Sequence, residues 1–286
     1  MSFELALNTG TTPRLSLAEA LAATRDAGLG HIGLWRNRIQ EVGLERAAEL
    51  VAESGLRVTS LCRGGFLTAA EPAEQRAALA DNRTAIDECV AVGTDQLIMV
   101  VGGLPTGDRD LVAARRRVRD RLVDLVPYAA ERGVQLVLEP LHPMYCGDRA
   151  VLSTLGQALD LADGFDPSVV SVVVDAFHVW WDPEVGHQIA RAGREGRLAA
   201  YQVCDFNLPI AADALLSRGM MGDGVIDFGA LSAMVAGAGY TGPVEVEIFN
   251  AEIYARPADE VLTEMTGRYR DLVLPHLTGA GQPART

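Results

Sequence analysis

A single closed (β/α)8 barrel, the TIM barrel, is the fold class this chain predicts, on three observations. Strand-like apolar runs and longer segments with helical spacing alternate eight times, in units of roughly 30–35 residues. The strand runs are short and continuously apolar, as they are when both faces of a strand are covered. No Pro/Gly/Ser-rich linker divides the chain, which favours one barrel over two domains. An open doubly wound sheet is the rival. It calls for a glycine-rich turn after its first strand, and Thr9-Gly10-Thr11-Thr12 is not that fingerprint.

The strands are expected at 3–8, 30–35, 56–62, 95–101, 134–139, 169–175, 198–203 and 243–247. Ser16 with Glu19 three residues later forms a capping box that starts the first helix, and Gly28 ends it. Gly55 closes the second helical segment, and Glu71-Pro72 opens the next, with proline suited to a first turn. Gly133 and Gly239 stop two further helices. The segment Asp205–Asp227 is long for a βα connection, and its Arg218-Gly219-Met220-Met221-Gly222-Asp223-Gly224 stretch permits tight backbone near a ligand. The catalytic barrel is expected to span 1–277, and 278–286 to form a flexible tail.

Composition removes several function classes. The net charge of -13 opposes nucleic-acid binding, which rests on clustered cations. The chain has no lysine, all 25 basic residues being arginine, so Schiff-base and Walker-type chemistry are excluded. Its apolar runs are too short for a membrane span, and Met1–Leu7 reads as a first strand without a basic leader region. Cys62, Cys89, Cys146 and Cys204 show no metal-type spacing, which fits reduced thiols in a cytoplasmic protein.

The chemistry concentrates at four strand ends: Glu139, Asp175, Gln202 and Glu247. A barrel gathers such ends at one mouth, and three carboxylates with one amide are a donor set for a hard or borderline divalent cation. A single strand-end carboxylate is as readily a cap for the following helix, but three acids and an amide on the last four strands point to a metal. Glu245 precedes Glu247 at the period of a strand and points the same way, so this pair of acids also asks for a counter-charge. His142, held in the two-proline loop Pro140–Pro143 just after Glu139, is a candidate general base or acid. Trp35-Arg36 and Arg63 stand where substrate walls form, and Arg63 suits a polar or anionic group; solvated loop arginines are the plain alternative. Trp180-Trp181 would stack on a sugar, or equally pack in the core.

With these motifs the chain resembles the sugar isomerase/epimerase superfamily of xylose-isomerase-like barrels, whose branches include hydroxypyruvate isomerase, inosose dehydratase and the ketose 3-epimerases. The resemblance rests on Glu139-Pro140, Asp175-Ala176-Phe177-His178, Gln202-Val203-Cys204-Asp205, Gly222-Asp223-Gly224 and Val246-Glu247. It implies that Glu139, Asp175, Gln202 and Glu247 hold one Mn2+-like ion and that Glu139 and Glu247 also move protons. It further implies that His178, Asp205, Arg63, Arg218 and Trp35 face the substrate. Many members carry histidine where Gln202 stands; an oxygen donor there favours Mn2+, Mg2+ or Co2+ over Zn2+. The implied reaction is proton abstraction from a keto sugar or keto-glycoside through a metal-stabilised enediolate.

The string around His142 is similar to that of C-glycoside deglycosidase catalytic subunits, which cleave a carbon–carbon bond and work with a small partner subunit. That leaves a lyase as the alternative, with an inosose-type dehydratase and a non-catalytic sugar-binding barrel behind it. A homo-oligomer would accompany an isomerase or epimerase. The apurinic-endonuclease branch needs a histidine-rich zinc cluster, and this acidic chain has five histidines. Phosphate-free sugars are slightly favoured by the absence of lysine.

Overall fold

A computed structural model of the chain describes residues 3–279 and shows the predicted closed parallel barrel. Its staves are β1 (Leu5–Asn8), β2 (His31–Trp35), β3 (Arg57–Gly65), β4 (Gln96–Val100), β5 (Gln135–Leu138), β6 (Val170–Asp175) and β7 (Leu198–Val203). A two-stranded antiparallel hairpin follows, β8 (Asp205–Phe206) with β9 (Arg218–Gly219), and β10 (Val244–Val246) closes the barrel between β7 and β1. The expected strands match these to within a few residues, with β3 running three residues further than anticipated.

Helices clad the outside, and local sequence sets their ends. Ser16 and Glu19 form the reciprocal capping box at the start of Leu17–Asp26. Pro72 occupies the first turn of Pro72–Val92, and Gly133 ends Leu111–Arg132 in the left-handed region at φ 67°. The main apolar core lies between staves and helices, with Leu7, Ile32, Leu61, Leu97, Leu136, Val172, Tyr201 and Val246 buried against it. The barrel interior holds a much smaller cluster of Cys62, Ile98, Val137, Val173 and Ala200. Above that plug the inward positions turn polar.

Backbone register sets the geometry there. Ala6 pairs with Glu245, Glu245 with Gln202, and Gln202 with Asp175, so the last three lie in one row across β10, β7 and β6. Glu139 and Glu247 stand one residue beyond the ends of β5 and β10, where the ladder stops and side chains turn toward the mouth. The expected tail begins inside the helix Leu274–Thr278, and 280–286 lie outside the described residues. No helix among the described residues is long and apolar enough to cross a membrane.

Candidate metal and substrate site

At the C-terminal mouth a cavity of about 200 Å³ is lined by Glu139, Glu247, His178, Arg218, Trp35 and Arg63, with Tyr145 and Arg149 on the same wall. Of the four predicted ligands, Glu139 and Asp175 have carboxylate oxygens within 4.8 Å of each other and of a ring nitrogen of His178. Glu247 joins them through Arg218, whose Nη1 donates to Glu247 Oε2 at 3.0 Å and to Asp175 Oδ2 at 3.3 Å. All three carboxyls are buried. Burial raises the pKa of each above the ordinary value: at Glu139 the neighbouring acids add to it, and at Asp175 and Glu247 the Arg218 charge partly offsets it.

Gln202 is oriented by its neighbour in the row. Its Nε2 donates to Glu245 Oε1 at 2.9 Å, which fixes the amide, because a carboxylate can only accept. Gln202 Oε1 is left buried and without a hydrogen-bond partner. An orphaned amide oxygen beside three buried carboxylates, with Arg218 offsetting only one of their charges, fits a divalent cation in both donor chemistry and charge. Glu139, Asp175, Gln202 and Glu247 are the residues that would hold it.

His178 offers no lone pair for that purpose. Its Nδ1 accepts the backbone N–H of His142 at 3.1 Å, so the ring proton sits on Nε2. Burial and the Arg218 charge hold its pKa well below the usual value and keep it neutral. Nε2 stands 3.1 Å from Arg218 Nη2. Two donors therefore face one another beside Glu139, where an acceptor oxygen of a bound molecule would satisfy both.

Several expectations meet a different geometry. Glu245 is not balanced by a cation: its carboxylate accepts from Asn8 Nδ2 at 2.6 Å, Ser60 Oγ at 2.9 Å, Gln202 and Thr59. His142 does not line the cavity; its Nδ1 accepts from Met144 N at 3.3 Å, and its ring packs on Phe206 and Trp181. The two prolines do fix it, but as a brace whose backbone orients His178. Asp205 is fully buried and accepts from the amides of Phe206, Gly222 and Ile226 at 2.8, 2.8 and 3.0 Å. It ties the segment after β9 back to β8 and is not among the residues lining the cavity. Arg36 turns away from the mouth to Asp81 and Glu88. Trp180 packs on Phe206, and Trp181 Nε1 donates to His178 O at 2.8 Å, so neither is a cavity wall.

Other positioning residues gave no distinctive sequence signal. Thr9 Oγ1 accepts Trp35 N at 2.9 Å, and Trp35 Nε1 in turn donates to Glu247 Oε1 at 2.8 Å. Thr11 Oγ1 bonds both Val246 O and Ile248 N, fixing the backbone on either side of Glu247. Asn250 Nδ2 donates to Arg218 O at 2.8 Å, and Phe177 and Phe249 each lie under the guanidinium, at 4.7 and 4.8 Å. Threonine and asparagine at loop starts are too common to single out without the fold.

Comparison with known proteins agrees with the barrel fold. The family model described as the xylose isomerase-like TIM barrel matches residues 21–270. The crystal structure of protein SMc04130 from Sinorhizobium meliloti 1021 superimposes with a TM-score of 0.91 at 43% identity, covering 94% of this chain and 98% of that one. L-ribulose-5-phosphate 3-epimerase UlaE of Salmonella paratyphi C is 27% identical over 236 residues, 81% of this chain and 76% of its own length. Inosose isomerase of Halalkalibacterium halodurans is 23% identical over 158 residues, 55% of this chain, and the match spans only about half (54%) of that protein.

Proposed function

Since the chain belongs to the xylose isomerase-like TIM barrel family, we propose that it is a divalent-metal-dependent isomerase or epimerase acting on a keto sugar or keto-glycoside. The observation that carries this reading is the trio Glu139, Asp175 and Glu247, buried with the unpartnered Oε1 of Gln202 at the mouth of the barrel. The all-oxygen donor set favours Mn2+, with Mg2+ and Co2+ as alternatives. Bound there, the cation would polarise the substrate's carbonyl and neutralise the charge that builds as a neighbouring proton leaves.

The chain's own residues supply the rest. Glu139 lies on the cavity, accepts no hydrogen bond among the described residues, and has its pKa raised by burial, all of which suit a group that takes and returns a proton. Glu247 is held at both oxygens, by Trp35 and Arg218, and its carboxylate is the second proton carrier at a fixed position. His178 Nε2–H and Arg218 Nη2 present paired donors to a substrate oxygen. Relatives bearing isomerase and epimerase names support this class of chemistry. The lyase alternative rests on the likeness of the string around His142 to deglycosidase catalytic subunits, and no observation of the structure favours it.

The test is hydrogen exchange. Protein loaded with Mn2+ is incubated with ketoses and 3-keto-glycosides in D2O and the sugars are read by NMR after removal of the ion. Metal-dependent deuteration at one carbon, lost in Glu139→Gln and in Glu247→Gln, is the expected result. A full panel without exchange would sink the proposal.

A further inference from the structure

The same cavity carries donors that the proposed proton chemistry does not use. Arg63 lies with its guanidinium 4.1 Å from the centre of the Phe66 ring, and no carboxylate among the described residues comes within ion-pairing distance of it. Arg149 makes one long contact, 3.7 Å to Asp148, and its Nε is buried without a hydrogen-bond partner. The Tyr145 hydroxyl is likewise buried and unpartnered, and the ring that carries it lies 5.8 Å from the Arg149 guanidinium. All three residues line the same cavity as Glu139 and Glu247.

Buried donors left without acceptors are costly: burial lowers the Arg63 pKa and the nearby Arg149 charge lowers it further, while Arg149 Nε and the Tyr145 hydroxyl have no hydrogen-bond partner. Asp175 and Glu247 already pair with Arg218, and Glu139 lies beyond ion-pairing distance of Arg63 and Arg149. An oxyanion in the cavity would relieve the whole set, since guanidinium forks match carboxylate and phosphate oxygens in pairs.

The geometry points to an anion-binding subsite formed by Arg63, Arg149 and Tyr145, so that the substrate is an acidic sugar, bearing a carboxylate or a phosphate at the end remote from the reacting carbons. This inference rests on the proposed sugar chemistry and adds the substrate class to it. The anionic end anchors on the arginines while the carbonyl end reaches Glu139 and Glu247.

Calorimetric titration of the Mn2+-loaded protein at low ionic strength tests it with three probes. D-ribulose 5-phosphate represents the phosphate, 5-keto-D-gluconate the carboxylate, and D-fructose the neutral sugar. At least one anionic probe is expected to bind about tenfold or more tighter than fructose, and which one does so identifies the anion. In Arg63→Gln/Arg149→Gln that advantage is expected to fall to within about twofold, as one factor-of-ten step in affinity disappears. Should the double variant fold poorly by circular dichroism, Arg149→Gln alone, at a half-exposed loop position, is expected to lose part of the advantage.

Two results overturn the subsite: no preference for either anion in the wild type, or a preference that survives in the variants and so reflects anion binding to the metal. The exchange experiment separates the two readings. Tight anion binding without deuteration leaves the subsite standing and removes the reaction. Deuteration of neutral sugars with no anion preference does the reverse.

Discussion

Gln202 shows how one side chain can carry two duties. Its nitrogen is bound to Glu245 and its oxygen is left free, so Gln202→Leu removes the proposed metal donor while Glu245 keeps Asn8, Ser60 and Thr59 as donors. Gln202→Leu is expected to weaken Mn2+ binding by on the order of tenfold or more, about 1.4 kcal/mol per factor of ten, measured by titration calorimetry. Space at single positions is equally specific. A Cβ on Gly33 would lie 2.4 Å from the Glu245 carboxylate, whereas one on Gly30 meets nothing within 4 Å. Gly33→Ala is therefore expected to cost about 1–3 kcal/mol as an overpacking substitution. Gly30→Ala should stay within about 0.5 kcal/mol of wild type. Urea midpoints distinguish them; equal midpoints would refute the close packing of Gly33 against Glu245.

Among the elements, the β8–β9 hairpin decides whether the site is assembled, because it delivers Arg218. Asp205 accepts from the amides of Phe206 in β8 and of Gly222 and Ile226 just after β9, and so ties the segment that follows the hairpin back to its first strand. Asp205→Asn turns one acceptor into a donor facing an amide and is expected to cost about 1–3 kcal/mol. Cleavage by protease within residues 220–227 should accelerate, while Mn2+ affinity stays near wild type because no ligand moves. A loss of metal binding equal to that of Gln202→Leu would instead make Asp205 part of the metal site. This hairpin also marks a limit of legibility. The length and glycines of the segment announced a functional loop, yet its strand pairing depends on contacts between residues more than ten apart in sequence.

Taken whole, the barrel was legible because its strands are continuous apolar runs whose ends are punctuated by polar residues. Those ends named Glu139, Asp175, Gln202 and Glu247 before any coordinates were needed. What the chain concealed were directions set by loop backbone. Nothing in Pro140–Pro143 says whether the His142 ring turns into the mouth or away from it, and nothing near Arg149 says that it shares a cavity with Arg63 across more than eighty positions. Metal occupancy is expected to register in the entire fold. Mn2+ at about one hundred times its dissociation constant adds about 2.7 kcal/mol to stability through mass action. A thermal scan should show a midpoint several degrees higher with Mn2+, reversed by EDTA, and about 2–4 °C per kcal/mol is the scale for a chain this large. An unchanged midpoint would argue that no cation binds the folded state.

The Glu245 carboxylate beneath Gln202 carries one more consequence. An acceptor placed under a ligand supports an imidazole as well as an amide, since a histidine there could give one ring N–H to Glu245 and turn its other nitrogen to the ion. Metal preference at the proposed site is thus one substitution wide: Gln202→His would exchange its amide oxygen for a nitrogen and is expected to shift selectivity toward Zn2+, with the Glu245 acceptor already in place.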